Sequence, residues 1–402
     1  MQFGEGNFLR AFAEVLIQDS GLSVSLCQPR TNTRVINALK AQDNNYNVYV
    51  RGLLDGKNIN KTIPITCVDA AIDSAGEYEK LAEAFCNDKT ELIISNTTEA
   101  GIVYNEDENT FPLKITKLLY ERYKTGAKPL VFLPCELIDG NGDELKRCVL
   151  KYNALLGYGI EEYINSCRFY NTLVDRIVTG HPEGDSDPCS VACEPYISFV
   201  VEAPEGSLPI KGITYTDDIK PYKKRKVRIL NGLHTFFVPS AILAGFEIVR
   251  DTVNDSLFND FINLALGEIL PTLEGDTAGE FASSVLERFA NPYIDHRLDA
   301  IVLNSVSKFK TRLLGTILDS KDPDILLFSL AALLYFYKNA SPVDDEKVID
   351  YIKNSDINSI LRNEELWGED ISRFENRVSD GYKLIELLGI KGAINEKINQ
   401  NK

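Results

Sequence analysis

Three side chains suited to proton transfer lie within one short stretch of the chain, Lys226, Asn231 and His234. On an α-helix, which turns by about 100° per residue, Asn231 lies roughly 140° and His234 roughly 80° around the axis from Lys226. One face of a helix can therefore carry all three. A buried lysine can act as a base, while asparagine and histidine can donate hydrogen bonds to a developing alkoxide. This combination is suited to hydride transfer without a metal ion.

Spacing alone leaves a plainer interpretation open, and that interpretation is the commoner meaning of so short a pattern. The lysine could be solvated while the asparagine and histidine are satisfied in a helix core. Two further groups are equally ambiguous. Lys308, Lys310 and Arg312 lie together on one predicted helix, either as a solvated face or as cations that meet a substrate carboxylate. Asp175 follows a strand-like run and either forms an ion pair with Arg176 or faces a ligand.

A glycine-containing turn opens the chain and precedes a helical pattern. Gly4 and Gly6 would let backbone amides approach a pyrophosphate at the start of that helix. Leu9 replaces the third glycine of the usual fingerprint, and only residues 1–3 remain for a first strand. The position about 20 residues past the glycines, where NAD-selective folds often carry an acidic residue, has no carboxylate. Arg30 lies in that region and formally leaves NADP open.

The elements that must position these residues follow two different patterns. Up to about residue 220, buried strand-like runs alternate with helices, which predicts an α/β fold with a parallel, doubly wound sheet. One such strand begins at Leu92 and ends in Asn96 and Thr97, and the runs at 196–202 and 212–216 could extend the sheet with antiparallel strands. From Pro221 onward the pattern is helical, with helices predicted at 226–248, 294–319 and 323–338 among others. We therefore predict a dinucleotide-binding domain over 1–220 and a helical substrate and catalytic domain over 221–402.

Composition excludes several classes of function. A formal charge of −16 over 402 residues argues against nucleic acid as a partner, because phosphate binding needs clustered Lys and Arg. Neither a transmembrane stretch nor a secretory signal is present, so the sequence predicts a cytoplasmic protein without a membrane partner. The eight cysteines lack metal-binding or disulfide spacing, and we expect reduced thiols and no metal site.

Several motifs together resemble one family, the polyol-specific long-chain or mannitol dehydrogenases. The motifs are Gly4-x-Gly6-x-Phe8-x-Arg10, Asn96-Thr-Thr-Glu99-x-Gly101, Val174-Asp-Arg-Ile177, Lys226-x4-Asn231-x2-His234 and Arg288-Phe-x-Asn291-Pro292. Longer runs, such as 2–12 and 95–102, are most similar to a branch of that family that reduces a sugar acid. The alternatives are another sugar-acid or polyol-phosphate oxidoreductase of the same family and a catalytically silent nucleotide-binding protein.

The resemblance implies NAD as cofactor, a small sugar acid as substrate, and a monomer or small homo-oligomer. It implies that Lys226 is the general acid and base, and that Asn231 and His234 polarise the carbonyl. Asp175 and Lys308 match substrate contacts, and Glu99 matches a residue at the mouth of a proton channel. We expect Lys310 or Arg312 to take the substrate carboxylate. The expected cofactor contacts are Gly4, Gly6, Asn7, Phe8, Arg10, Arg30, Asn96, Thr97 and Thr98.

Two positions depart from the mannitol enzymes. Leu137 stands in place of a second oxyanion asparagine, and Ala300 stands in place of a substrate-binding arginine. The resemblance also implies residues upstream of Met1 and a longer segment between Val178 and Tyr196.

Overall fold

A computed structural model describes residues 1–28, 32–97, 101–106 and 109–401. Three predicted site residues, Arg30, Thr98 and Glu99, lie outside these ranges. The chain divides into two compact units. Unit 1 comprises residues 1–51 and 58–219, and unit 2 comprises residues 52–57 and 220–402. In the described part of the chain, no helix combines the length and apolar character that a membrane crossing needs.

Unit 1 contains thirteen strands and seven helices among the described residues. The strands are β1 (Gln2–Phe3), β2 (Val24–Cys27), β3 (Tyr46–Leu54), β4 (Lys57–Ile65), β5 (Val68–Ile72), β6 (Leu92–Ser95), β7 (Val131–Pro134), β8 (Arg168–Phe169), β9 (Thr172–Asp175), β10 (Val178–Gly180), β11 (Val191–Cys193), β12 (Ser198–Glu202) and β13 (Ile213–Thr216), with the tip of the β3–β4 hairpin assigned to unit 2. The helices are α1 (Asn7–Ala11), α2 (Ala13–Asp19), α3 (Arg34–Ala41), α4 (Tyr78–Cys86), α5 (Phe111–Thr125), α6 (Asn141–Leu156) and α7 (Glu161–Ser166).

The central sheet of unit 1 has six parallel strands in the order β5-β2-β1-β6-β7-β8. The chain runs outward from β1 to β2 and β5 on one side, and then to β6, β7 and β8 on the other. The strand order therefore reverses between β1 and β6, and the crevice at such a reversal is where open α/β sheets bind ligands. This arrangement confirms the predicted doubly wound α/β fold.

Both faces of the central sheet are buried, as a parallel sheet requires. Neighbouring residues of one strand belong to opposite apolar cores, because side chains alternate across a strand. Ile93 packs with α4 and α5, whereas Ile94 packs with α1 and α2. Phe132 and Leu133 divide in the same way. Two separate cores thus hold the strand ends in place.

The additional strands form two smaller sheets. One has the order β10-β11-β3-β4, and the other has the order β13-β12-β9. The prediction that the runs at 196–202 and 212–216 extend the main sheet as antiparallel strands is wrong. In the structure β12 pairs in parallel with β13 and antiparallel only with β9, whose last residue is Asp175.

Apart from the hairpin tip, unit 2 is helical over its described length, which confirms the predicted all-α C-terminal part. Its α-helices are α8 (Lys220–Lys226), α9 (Gly232–Leu243), α10 (Val249–Asn254), α11 (Ser256–Ile269), α12 (Ala278–Phe289), α13 (Leu298–Ile301), α14 (Ser305–Phe309), α15 (Gly315–Asp319), α16 (Asp324–Asn339), α17 (Glu346–Asn354), α18 (Ile357–Arg362), α19 (Glu364–Trp367) and α20 (Glu375–Gln400). α9 and α16 are buried almost throughout, which explains why both are apolar all round.

Two π-helical turns interrupt unit 2, one at Val227–Asn231 and one at Lys310–Leu314. The helix predicted at 226–248 is therefore present as the first π turn followed by α9, and the one predicted at 294–319 is divided into α13, α14, the second π turn and α15. A π turn bonds residue i to i+5, which changes the angular offset between the residues that flank it. The two π turns pack against each other. Gly232 lies at this contact, where an added Cβ would be 3.3 Å from the Val227 carbonyl oxygen and 3.4 Å from Leu313 Cδ2.

Candidate active site

The predicted nucleotide turn lies at the strand reversal of unit 1. Gly4 has a φ of 122°, and a Cβ there would be 2.8 Å from the carbonyl oxygen of Asn96, so this position requires glycine. Gly6 is the extended residue before α1, and a Cβ there would meet no atom within 4 Å. The first glycine thus allows β1 and β6 to approach closely. The second faces open space in which a ligand could approach the backbone.

Arg10 lies beneath this turn and is only 3% exposed. Its Nη2 donates to Asn7 Oδ1 at 2.6 Å, while its Nε and Nη1 have no hydrogen-bond partner among the described residues. Its guanidinium lies 5.8 Å from the centre of the Tyr46 ring. Glu14 accepts from Tyr46 at 2.7 Å and from Gln2 at 2.8 Å, and burial raises the pKa of Glu14. The turn therefore rests on a buried polar network. Phe8 stacks on Phe12 at 5.0 Å beside it.

Glu136, which was not among the predicted site residues, anchors the segment after β6. It is buried, and its Oε1 accepts from the backbone nitrogen and the hydroxyl of Thr97, both at 2.9 Å. Its Oε2 accepts from the Ser95 hydroxyl at 3.0 Å. Burial raises the pKa of Glu136. A Cβ on Gly101 would lie 1.9 Å from Thr97 Oγ1, so the segment is closely packed on this side too. An acidic residue two positions after a buried strand was the available signal.

Asn96 is tied to the neighbouring strand, because its side-chain amide donates to the Cys135 carbonyl oxygen at 3.0 Å. Leu137 follows Glu136 and is 60% exposed.

Asp175 is buried at the end of β9. Arg176 donates to the carbonyl oxygens of Glu194 at 3.0 Å and Ala11 at 2.6 Å.

The Lys226, Asn231 and His234 group lies in unit 2, with the first π turn between its members. Lys226 is the last residue of α8, Asn231 ends the π turn, and His234 lies in the first turn of α9. Lys226 and Asn231 are half-buried, whereas His234 is only 8% exposed. The structure therefore places His234 in the interior and leaves the other two closer to the surface of unit 2.

His234 is a buried imidazole without a hydrogen bond at Nε2 among the described residues. Its ring lies 4.2 Å from Phe289 and 5.1 Å from His296, measured between ring centres. Burial, followed by the charges of His296, Arg312, Arg288 and Lys308, holds the pKa of His234 well below 6.5. The imidazole is therefore neutral at pH 7 and can donate or accept one hydrogen bond at the unpaired nitrogen. Native proteins rarely leave such an atom unsatisfied.

The predicted cations separate into two locations. Arg312 Nη1 lies 3.4 Å from the hydroxyl of Thr235, which itself donates to the Asn231 carbonyl oxygen at 3.1 Å. Burial lowers the pKa of Arg312, and within the described residues no carboxylate pairs with it. Lys308 donates to the Ile301 carbonyl oxygen at 2.8 Å, and burial and Arg312 lower its pKa. The positive charges of Arg312 and Lys308 both lower the pKa of His234.

Lys310 lies on the other side of its turn, against α19. Its Nζ is 3.4 Å from the Glu365 carbonyl oxygen, and a Cβ on Gly368 would lie 3.1 Å from its Cε. Ala300 is exposed on α13. His296 was not among the predicted site residues. The available signal was that it is one of only three histidines in the chain.

Within the described ranges, no group of three or more His, Cys, Asp or Glu side chains is arranged to hold a metal ion. The polar groups that act on His234 are instead cationic side chains and a second imidazole. Such a set can bind an oxygen-rich, anionic molecule and stabilise charge on one of its oxygens.

Comparisons with known proteins agree with this division of the chain. Residues 1–212 match the family profile described as mannitol dehydrogenase Rossmann domain, and residues 218–385 match mannitol dehydrogenase C-terminal domain. The altronate oxidoreductase of Bacillus subtilis (strain 168) is 37% identical, over 98% of this chain and 94% of the relative. The altronate oxidoreductase of Escherichia coli O7:K1 is 36% identical, over 96% of this chain and 88% of the relative.

Solved structures show the same fold at lower sequence identity. The Pseudomonas fluorescens mannitol 2-dehydrogenase ternary complex with NAD and D-mannitol is 20% identical, with a TM-score of 0.72 over 99% of this chain and 94% of that chain. A D-sorbitol dehydrogenase in substrate-free form is 21% identical, with a TM-score of 0.86 over 98% of this chain and 94% of that chain.

Proposed function

The chain belongs to the mannitol dehydrogenase family, and from that premise we propose that it catalyses the NADH-dependent reduction of D-tagaturonate to D-altronate, and the reverse reaction, in hexuronate breakdown. The altronate oxidoreductases that are 36–37% identical over nearly the whole chain support this substrate. The observation that carries the chemistry is the buried His234, which lies three residues after Asn231. Among the described residues its Nε2 has no hydrogen-bond partner, and the charge of Arg312, which acts on it, has no pairing carboxylate.

The cofactor site belongs to unit 1. Gly4 and Gly6 would place the pyrophosphate of NAD at the turn after β1, where Gly6 faces open space. Asn7 and Phe8 flank this turn, and Arg10 supports it from below. Asn96 and Thr97 would contact the cofactor from the end of β6, where Cys135 and Glu136 hold them. We propose Arg30 and Thr98 as further contacts from their sequence positions alone.

Bound NADH supplies a hydride to the carbonyl carbon. Lys226 then gives its proton to the carbonyl oxygen, so that the ketone becomes a secondary alcohol and the lysine becomes neutral. Asn231 and neutral His234 donate hydrogen bonds to that oxygen while negative charge develops on it. In the oxidative direction the neutral lysine takes the hydroxyl proton. Asp175 and Lys308 would bind substrate hydroxyls, and Glu99 would help to exchange protons with solvent.

We assign the substrate carboxylate to Arg312 and place Lys310 in a secondary role. Arg312 is desolvated without a pairing carboxylate in the described residues, and a guanidinium binds a carboxylate with two parallel hydrogen bonds. Lys310 interacts with α19 and has no comparable relation to His234. The positive charge of Arg312, which no described carboxylate pairs with, acts on the neutral imidazole of His234. This arrangement supports an acid over an uncharged polyol as the substrate.

The deciding experiment follows NADH absorbance with tagaturonate, fructuronate and fructose 6-phosphate offered in parallel to the purified protein. Tagaturonate should be reduced fastest. Preference for fructuronate would indicate the other uronate activity, and preference for the phosphate would indicate a polyol-phosphate enzyme. No oxidation of NADH with any of the three would refute the proposed reaction. We further propose that the enzyme acts in the cytoplasm, where NADH is available, as a monomer or small homo-oligomer.

The role of Lys226 is tested by Lys226→Ala, with Lys224→Ala as the matched control. Lys224 lies one half-turn earlier on α8 and is 3.7 Å from Asp319 in a surface ion pair. Loss of the acid and base group should lower kcat by about 10²–10⁴ while NADH binding stays near normal. The control should keep its activity. Full turnover by Lys226→Ala would rule out proton transfer by this residue.

A further inference from the structure

The backbone of His296 is held by hydrogen bonds to the segment that precedes α10. His296 lies in the segment between α12 and α13, where its carbonyl oxygen accepts from the Val249 nitrogen at 2.9 Å. Leu298 donates in turn to the Glu247 carbonyl oxygen at 2.9 Å, and Ile248 and Arg297 form an antiparallel bridge. This short two-stranded clamp fixes the point at which the His296 side chain leaves the backbone. The backbone from which the ring extends is therefore in place before any ligand binds.

The two imidazole rings meet edge to face. Their centres are 5.1 Å apart and their planes are inclined by 82°. Phe289 covers His234 at 4.2 Å with an interplanar angle of 31°. His234 is buried, while His296 is half-buried. A single carbon chain that carries neighbouring oxygens can therefore contact both imidazoles at once.

His296 is uncharged at neutral pH and is unpaired in the described structure. Burial lowers its pKa below 6.5, and its neighbour Asp295 is paired with Arg250 at 2.8 Å. No hydrogen bond from a described residue reaches its ring nitrogens. A neutral imidazole carries one donor and one acceptor, which match a hydroxyl group better than a carboxylate. The carboxylate has its own partner in Arg312.

We propose that His296 determines substrate specificity by binding the sugar-acid hydroxyl next to the carbon whose carbonyl oxygen His234 holds. The inference rests on the proposed function and adds a contact to the same site. Each polar group then binds a different chemical group of the substrate. Arg312 recognises the carboxylate, His234 the reacting oxygen, and His296 the adjacent hydroxyl.

The test compares His296→Phe, which keeps an aromatic ring against His234, with His296→Gln, which restores a polar group. The control is Tyr293→Phe, an exposed ring in the same segment. His296→Phe should raise the KM for tagaturonate about tenfold, the cost of one hydrogen bond, with NADH affinity unchanged. His296→Gln should recover part of the loss. A tagaturonate analogue that lacks the adjacent hydroxyl should bind the unmodified enzyme and His296→Phe equally well.

Three results are contrary to the proposal, and they are distinguishable. Absence of tagaturonate reduction by the unmodified protein would overturn the proposed function and this inference together. Normal reduction by the unmodified protein with an unchanged KM in His296→Phe would overturn this inference alone. A loss that is equally large with the deoxy analogue would also overturn it, because the effect would then be structural. If His296→Phe fails to fold, His296→Leu, which also removes the hydrogen bond, provides the same comparison with the deoxy analogue.

Discussion

At the scale of single residues, the structure separates cations that the sequence places together. Arg312 lies beside Thr235 and acts electrostatically on His234, whereas Lys310 lies against α19. A helical pattern alone gives all the cations of this segment similar roles. The direction each side chain takes depends on the second π turn, which begins at Lys310.

We predict that Arg312→Gln raises the KM for tagaturonate by about 10–100-fold, because a hydrogen bond to a charged group contributes about 1.5–3 kcal/mol. The KM for an uncharged ketose such as fructose should change far less. Lys310→Gln is the matched control and should leave both values nearly unchanged. Steady-state kinetics with both substrates gives the answer. A larger effect of Lys310→Gln on tagaturonate would reverse the assignment.

Stability should depend on pH through His234. Its pKa lies well below 6.5 in the folded protein, mainly because of burial, so the unfolded chain binds a proton at this site when the folded chain does not. Folding is therefore favoured above pH 6.5, and this contribution is lost as pH falls below that value. We predict that His234→Gln reduces the loss of unfolding free energy between pH 7.5 and pH 5.5, about one unit to either side of the ordinary histidine pKa.

The measurement is urea unfolding of both proteins at the two pH values. The pH dependence of one protein is compared with that of the other because both contain the buried Glu14 and Glu136. The raised pKa values of these two carboxyl groups make the free energy of unfolding fall as pH rises, which is opposite to the effect of His234. An identical pH dependence in both proteins would mean that His234 titrates normally.

At the scale of elements, much of the fold could be predicted from hydrophobic periodicity. The helix predicted at 323–338 is α16, Asp324–Asn339, and the buried strand beginning at Leu92 is β6. The first π turn could not be predicted, because a shift in the phase of the apolar pattern is invisible where the following helix, α9, is apolar all round. The clamp that holds His296 could not be predicted either, because it joins segments almost 50 residues apart through backbone hydrogen bonds.

The contact between the π turns should be sensitive to one methyl group. We predict that Gly232→Ala lowers kcat several-fold, because its Cβ would lie 3.3 Å from the Val227 carbonyl oxygen and would shift Asn231 and His234. The matched control is Gly267→Ala in α11, where a Cβ meets no atom within 4 Å. That change should stabilise the protein by up to about 1 kcal/mol without affecting kcat. Equal kcat in both variants would show that the π turns tolerate the shift.

At the scale of the whole molecule, the chain divides into two compact units, and we propose that they carry different parts of the reaction. A ligand that binds only the folded form of one unit stabilises that unit by RT ln(1 + L/Kd), where L is the free ligand concentration. Trp367, the only tryptophan, is 2% exposed in unit 2 and donates to the Ile360 carbonyl oxygen at 2.8 Å. Its fluorescence therefore reports the unfolding of unit 2 alone, whereas far-ultraviolet circular dichroism reports both units.

We predict that NAD at about 100 times its Kd adds roughly 2.7 kcal/mol to the unfolding free energy of unit 1. Its effect on the tryptophan transition should be much smaller. The experiment is urea unfolding followed by both signals, with and without NAD. Lys226→Ala serves as a control, because loss of the proton donor should leave the NAD-dependent shift intact. Equal shifts in both signals would instead mean that the two units unfold as one cooperative block, so that cofactor binding to unit 1 also stabilises the helices that carry His234 and Arg312.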